Sequence, residues 1–402
     1  MDGSIKHLWI GLLTKTFNVT VLMLKSISLE NFKCFKEEAT FNLKKINVFT
    51  GYNGRGKSSV FQSLLVLSQS LHRYGNIETL EINGVLVQLG VLEDLINCEK
   101  KTDSTIRFHL KSDIEGAEDI KLGYKEKEDS ERLGKLDELE IDGIDYFNRE
   151  VSAIQDDKNT IMEIHKLSNY PTQFHSLLSN YNYVSADRKG PTLYEEKRDL
   201  TIYNPIGKNG ENLLNAIAKK KTLQDKVNRA VSYIMDGGEI SINGEYARKT
   251  DILSLNFKTS NSSENKFKSI NCGYGYSYVL SIVANVLTIN KGILFIENPE
   301  AHLHPKAQSH LIKFICKELA EKDVQLFVET HSEHIINGIR ICTLKKDSLI
   351  THNDVCFYFF DMNYCFIKLN MDENAQIDNW PTGFFDQQEI DLAEILKLGL
   401  LK

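Results

Sequence analysis

The sequence predicts an α/β protein, with a mixed-sheet lobe joined to a parallel sheet and flanking helices. Three observations carry this. Residues 51–58, Gly51-Tyr52-Asn53-Gly54-Arg55-Gly56-Lys57-Ser58, form a complete phosphate-binding loop between an apolar run and a helical pattern. The last third alternates apolar strands with amphipathic helices, the mark of a parallel sheet covered by helices. One of those apolar runs, Ile293-Leu294-Phe295-Ile296, ends in an acid, Glu297.

Composition narrows the class. With 402 residues there is room for one large domain or two ordinary ones. A net charge of −7 excludes a chain that is basic throughout, so any nucleic-acid site must be a local patch. The seven cysteines are an odd, unpatterned set, which predicts free thiols in a reducing cytoplasm. No stretch is long and apolar enough to span a membrane. Residues 1–22 contain an apolar run, His7 to Leu13, that Lys15 interrupts, and no cleavage site follows. They read as an N-terminal extension, either an upstream start or a partner-facing arm, with the fold starting at Met23.

The first lobe is expected over 23–111. A first strand opens with Leu24–Leu29, and the run of strands reads Ile27–Phe32, Glu38–Leu43, Ile46–Phe49, Thr79–Ile82, Val85–Leu89 and Ser104–Leu110. Its helix runs over 58–72, with Val60, Phe61, Leu64, Leu65, Leu67 and Leu71 on the apolar side. An inserted α+β region is expected over 112–268. It opens with a charged, exposed edge hairpin at Leu122–Tyr124 and Leu136–Ile141. A mixed, helical stretch at 147–182 follows, then a strand Tyr183–Ala186 and a loop Asp187–Pro191. A helix or helix pair spans Glu211–Met235, and strands over 238–268 are joined by the polar loop Thr259–Asn265. The second lobe, 269–370, holds helix 277–288, strand Gly292–Ile296, helix Lys306–Glu321, strand Val324–Glu329 and helix His334–Cys342. Strands Val355–Phe360 and Tyr364–Leu369 close it. The tail, 371–402, ends in an apolar-rich helix around Ile390–Leu398.

Strand, glycine loop and helix together aim backbone N–H groups and a helix N-terminus at one anion. The nucleotide candidates are Gly51, Asn53, Gly54, Gly56, Lys57, Ser58 and Ser59. Lys57 would reach the β/γ-phosphates and the Ser58 hydroxyl would hold Mg²⁺. A chance match in a glycine-rich turn is the bland reading, and the flanking strand and helix count against it. Glu297, at a strand's carboxyl end, is the candidate for the Mg²⁺-side carboxylate. Asn271 to Ser277 carries Gly273, Gly275 and Ser277 at the start of a helix. It reads either as a second phosphate-facing nest or as an ordinary Ser cap. His331, in Glu329-Thr330-His331-Ser332, stands at the tip of the next strand, within reach of a γ-phosphate. His302 and His304 have H-x-H spacing but no third ligand on the same element, which argues against zinc.

In this order the motifs resemble the ABC-type ATPase heads of the RecF and structural-maintenance-of-chromosomes group. The stretch Glu297-Asn298-Pro299-Glu300-Ala301-His302-Leu303-His304-Pro305 is the most specific of them. Within that group the chain is most similar to small AAA-type ATPases related to the overcoming-lysogenisation-defect (OLD) family. The opening Leu29-Glu30-Asn31-Phe32-Lys33-Cys34-Phe35, the stretch Val87-Gln88-Leu89-Gly90 and the ending Trp380-Pro381-Thr382-Gly383-Phe384-Phe385-Asp386 fit the same resemblance. It implies an ABC-type head that binds ATP with Mg²⁺. Ser277 is then the signature serine, acting in trans across a head-to-head homodimer. The loop His302–His304 links the two nucleotides, His331 is the switch histidine and Gln88 is a Q-loop metal candidate. The chain departs from the group at Tyr278, where glutamine is common, and at Ser281, where proline is common. Asn298 stands where the group keeps its catalytic glutamate. Either Glu300 supplies the base or turnover is slow.

The resemblance implies a role in bacterial defence against phage or foreign DNA, through an effector such as a nuclease from a neighbouring gene. No nuclease is expected within the chain, because Asp361, Asp372 and Asp378 do not cluster. One alternative is a DNA-repair or recombination ATPase that grips DNA directly. Lys219, Lys220, Lys221, Lys226 and Arg229 would form one basic face, and Arg188 with Lys189 a second. A solvated helix face is the bland reading of the first. The other alternative is a scaffold that binds nucleotide without hydrolysis. The final helix either packs on its own core or docks a partner.

Overall fold

In the computed structural model, residues 23–100, 102–145, 178–190, 192–200, 204–243, 251–259, 265–378 and 380–400 are described. The extension 1–22 and most of the stretch expected to be helical at 147–182 lie outside them.

The chain opens with β1 (Leu24–Glu30), β2 (Ala39–Asn42), β3 (Ile46–Gly51), the phosphate loop and α1 (Lys57–Tyr74). Then come β4 (Thr79–Glu81), β5 (Ile106–Ser112), β6 (Asp119–Lys127), β7 (Ser130–Ile141) and β8 (Ile144–Asp145). The middle holds β9 (Tyr181–Val184), β10 (Glu195–Glu196), α2 (Leu213–Ala218) and α3 (Lys221–Ile234). It continues with β11 (Glu239–Asn243), β12 (Ile252–Lys258) and β13 (Phe267–Lys268). The last third alternates α4 (Tyr274–Thr288), β14 (Lys291–Glu297), α5 (Pro305–Leu319), β15 (Asp323–Glu329) and α6 (Glu333–Leu344). It ends with β16 (Val355–Phe360), β17 (Phe366–Leu369) and α7 (Gln387–Leu400).

Two large sheets face each other. The second runs β17-β16-β3-β15-β14-β9, parallel except for β17. Its parallel strands are buried on both faces, and alternate residues enter different cores. Val48, Leu294, Ile296, Leu326, Val328 and Phe357 pack toward the helices. Phe49, Phe295, Phe327 and Tyr358 pack toward the first lobe and α1. Phe49 is central to that aromatic layer, 5.5 Å from Phe61, 5.6 Å from Tyr358 and 6.1 Å from Phe327 between ring centroids.

The first sheet, expected to be mixed, is antiparallel throughout and runs β2-β1-β5-β6-β7-β4. The mixed sheet is the other one. The expected edge hairpin is also corrected: β6 and β7 lie inside the sheet, between β5 and β4. Leu122, Tyr124, Leu136, Leu139 and Ile141 are buried on one face. The charges that suggested an edge form cross-strand ion pairs on the other, Lys121 with Glu140 at 2.9 Å and Lys125 with Asp137 at 2.7 Å. The sheet therefore continues beyond residue 112 into the region expected to be inserted.

Val85–Leu89 is not a strand. It keeps one isolated bridge, Asn83 to Gln88. The buried Gln69 side chain accepts the Leu86 and Val87 N–H groups at 3.2 and 3.0 Å, so donors that a ladder would need are already taken. The segment 211–235 is a helix pair, α2 and α3. Helix α4 starts at Tyr274, with Gly273 as its extended N-cap, three residues before the expected start.

Helix α7 corrects the own-core reading of the tail. Every residue in it is exposed, including Ile390, Leu392, Ile395, Leu396 and Leu398. Among the described residues nothing covers it. Leu396→Lys is accordingly expected to leave Tm within about 1 °C of wild type, since exposed substitutions change stability by about 0.5 kcal/mol or less. A loss of several degrees in a thermal melt would mean that the helix packs on the protein after all.

Candidate nucleotide site

The site begins with strand register. Phe49 of β3 pairs with Glu329 of β15, and Glu329 pairs with Glu297 of β14. Parallel pairing brings the carboxyl ends of three strands to one level, where ligands bind in α/β sheets. Beyond β3 the chain turns into the phosphate loop. Gly51 and Gly56 have φ of 117° and 108°, which glycine alone adopts cheaply. A side chain at Gly51 would also collide with the Phe360 backbone.

Lys57 is 3% exposed. Its ammonium donates to the Gly51 and Tyr52 carbonyls at 3.1 and 2.7 Å, so it is folded back across its own loop. Burial lowers its pKa, and Glu329 works against that. The Ser58 hydroxyl donates to Glu329 Oε2 at 2.8 Å. Glu297, the acid expected beside Ser58, lies one strand further out. It accepts from Tyr183 Oη and Ala186 N, both at 3.0 Å. Burial raises the Glu297 pKa, against those two bonds.

Glu329 is thus a site residue that the motif search did not single out. The only signal was that the strand before His331 also ends in an acid. Burial pushes its carboxyl up to about 7, against the Ser58 hydrogen bond and Lys57, with Glu297 and Glu300 adding repulsion. Glu300 closes the cluster. Its carboxylate accepts from Thr330 Oγ1 and from His331 N, each at 2.7 Å. Burial lowers the His331 imidazole, and Lys57 pushes the same way. Asn298 occupies a turn with φ 43°, a left-handed conformation that Asn tolerates better than most residues.

The resulting donor set fits Mg²⁺ and a triphosphate. One hydroxyl and one or two carboxylates suit a hard cation whose other ligands are phosphate oxygens and water. Lys57 and the open loop supply the anion cradle.

A cavity of about 250 Å³ adjoins the loop, lined by Thr50, Gly51, Tyr52, Asn53, His331, Phe359, Gly383 and Phe385. The tail motif at 380–386 is therefore part of the site wall. A side chain at Gly383, where φ is 85°, would collide with the Tyr52 hydroxyl. Gln88 does not line this cavity; it sits exposed in the turn after β4. Ser59 lies in the first turn of α1 and is buried. Ser277 lies a full turn inside α4, 6% exposed, with its hydroxyl unpartnered. It faces a separate cavity, which also holds Lys189, Asn209 and Ser281. Gly273 is the residue at the open N-terminus of α4, with free space around its α-carbon. Arg188, expected on a DNA-facing patch, is 3% exposed, because its guanidinium is bound to backbone carbonyls.

A family profile described as "AAA domain, putative AbiEii toxin, Type IV TA system" matches residues 46–337. The chain belongs to this family. A second profile, "Protein of unknown function (DUF3696)", matches 350–395, which includes the loop beside Tyr52. Among curated proteins, endonuclease GajA of Bacillus cereus is 24% identical over 292 residues, 66% of this chain and 38% of that protein. The chain thus spans under two-fifths of that relative. An ATP/GTP phosphatase of Helicobacter pylori is 20% identical over 354 residues, 81% of this chain and 90% of that protein. Among solved structures, the SMC head domain from Thermotoga maritima aligns over 87% of this chain and 99% of that one, at 12% identity and a TM-score of 0.43. An SmcHead bound to the C-winged helix domain of ScpA aligns over 87% and 98%, at 13% identity and a TM-score of 0.47. Residues 46–337 of this chain are thus an AAA domain.

At this site the pH dependence of Glu329 has a definite sign. A carboxyl whose folded pKa is about 7 favours the native state at low pH, and that contribution is lost as pH rises toward and through 7. Glu329→Gln removes the loss. It is expected to raise stability at pH 8 by about 2 kcal/mol relative to wild type, and by much less at pH 5. Chemical denaturation at the two pH values checks this. An equal effect at both would mean that Glu329 is ionised throughout.

Proposed function

We propose that this chain is an ATP-driven switch. It binds ATP with Mg²⁺, pairs head to head with a second copy around the nucleotide, and hydrolyses slowly. Its state controls a separate effector in bacterial defence against phage or foreign DNA. The observation that carries the reading is the convergence of Lys57, Ser58, Glu297, Glu300, Glu329 and His331 at one end of the parallel sheet.

Lys57 would leave its loop carbonyls for the β/γ-phosphates, exchanging two neutral acceptors for anionic ones. Ser58, with Glu329 and Glu297, would hold Mg²⁺. The metal, when bound, would neutralise charge on the transferring phosphoryl group. Glu300 stands in for the glutamate missing at 298. Thr330 and His331 fix its carboxylate beside the switch histidine, where it would take a proton from the attacking water. Phe359 and Phe385 on the cavity wall would exclude bulk water. Gly273 to Ser277 opens the helix expected to face the partner's nucleotide, with Gly273 and Gly275 as its N-terminal nest. Helix α7 is the proposed effector-docking element. The family profile's toxin–antitoxin description and a relative named as an endonuclease support an effector of that kind.

Lys57→Ala is expected to weaken ATP binding at least about 100-fold by calorimetry, a loss of about 2.7 kcal/mol, with the fold intact by circular dichroism. Unchanged affinity would end the phosphate-loop reading. Glu300→Gln is expected to retain ATP and lower phosphate release about 100-fold. Light scattering of that variant should show a dimer with ATP and Mg²⁺ and a monomer without. Full activity in Glu300→Gln would assign the base elsewhere.

A further inference from the structure

One buried cation near the site has no part in the scheme above. Arg188 leaves the end of β9 on the loop after Val184 and turns inward. Its Nη1 donates to the Ser185 carbonyl at 3.1 Å and to the Glu297 carbonyl at 2.6 Å. Its Nη2 donates to the Asn298 carbonyl at 2.7 Å. The guanidinium therefore grips two successive peptide groups where β14 ends and the turn toward Glu300 begins.

That turn needs holding. Asn298 and His302 both have positive φ, 43° and 61°, which costs energy in a non-glycine residue. The turn closes through Ala301 N to the Asn298 carbonyl at 3.1 Å and Leu303 N to the Glu300 carbonyl at 3.0 Å. Glu300, gripping Thr330 and His331, sits in its middle.

The other face of Arg188 meets helix α4. Its guanidinium lies 4.9 Å from the Tyr278 ring centroid. Tyr278 meets the His302 ring edge-on at 4.7 Å, and Tyr274, the first residue of α4, meets it at 5.4 Å. A side chain at Gly275 would come within 2.8 Å of the His302 carbonyl, so glycine lets the turn lie directly against the helix start. Burial lowers the Arg188 pKa to about 10, which leaves it charged at neutral pH.

We infer that Arg188 and Tyr278 form a positioning link, through which whatever contacts the N-terminus of α4 sets the placement of the 298–302 turn and hence of Glu300. The inference rests on the ATPase reading of the site and names its regulation. An aromatic ring at 278 is what a buried guanidinium can stack on. Lysine cannot replace arginine here. One ammonium cannot reach two carbonyls in a planar fork and also present a flat face to a ring.

The test uses Arg188→Lys, Tyr278→Leu, Tyr278→Phe and the Arg188→Lys/Tyr278→Leu pair in the full chain. Calorimetry gives ATP affinity, phosphate release gives kcat, and hydrogen exchange reads the turn amides. Arg188→Lys and Tyr278→Leu should each lower kcat about tenfold with ATP affinity within about twofold, and Tyr278→Phe should match wild type. The double variant should be no slower than the slower single, because both break one link. Exchange should rise at residues 298–303 and stay unchanged at 54–58. The exchange arm reports even where turnover is absent, so failure of the link is separable from failure of the ATPase reading, which Lys57→Ala tests. Unchanged exchange at 298–303 in both single variants overturns the link, as do kcat losses that multiply in the pair.

Discussion

Everything at the site depends on the parallel register that puts β15 between β3 and β14. The phosphate loop follows β3, so the strand end nearest Ser58 belongs to β15. That is why Glu329 accepts the Ser58 hydrogen bond and Glu297 is held instead by Tyr183 and Ala186. Burial at those strand ends raises the pKa of both carboxyls, and Glu297 adds repulsion at Glu329. Repulsion that is costly in the bare protein becomes attraction once a divalent cation sits among them. Strain at Asn298 and His302, and the buried charges, are the kind of local cost that functional sites carry and the surrounding core must offset. The aromatic layer centred on Phe49 offsets it, locking β3 to its neighbours from the lobe side.

Much of this was legible in the residues. The phosphate loop, the alternating last third and the acidic strand each have a local signature, and the strands and helices there fall close to where periodicity places them. What failed was information that sits across strands. Glu329 looks like an ordinary strand terminus until its neighbour is known to be β3. The charged hairpin β6–β7 looks like an edge until its ion pairs are seen to lie on one face. Gln69, about three turns along α1 from the phosphate loop, satisfies the backbone of 86–87 and so removes a strand that the apolar pattern suggested. Ser277 follows two glycines as a cap would, but the helix starts earlier and buries it. Arg188 beside Lys189 reads as a surface patch because burial of a guanidinium depends on carbonyls more than 100 residues away.

The phosphate loop and the tail loop also meet, which neither motif announces by itself. The tail loop at 380–386 packs its Gly383 against Tyr52 of the phosphate loop, and Phe384 lies 5.6 Å from Phe359. Helix α7 leaves from that loop with its apolar residues exposed. A change in the loop around phosphate therefore has a short mechanical route to an exposed apolar helix. On the opposite side, Arg188 and Tyr278 give α4 a route to the Glu300 turn.

Ser58 and Lys57 are the residues proposed to place a metal on nucleotide phosphates at this strand edge. Pulsed electron paramagnetic resonance of Mn²⁺ in place of Mg²⁺, with ATP bound, reads this directly through phosphorus-31 couplings. Wild type should show bound Mn²⁺ coupled to phosphorus, and Ser58→Ala and Lys57→Ala should each lose that signal. Absence of a protein-bound Mn²⁺–phosphate signal in wild type, or its persistence in both variants, would contradict a nucleotide site at residues 51–58.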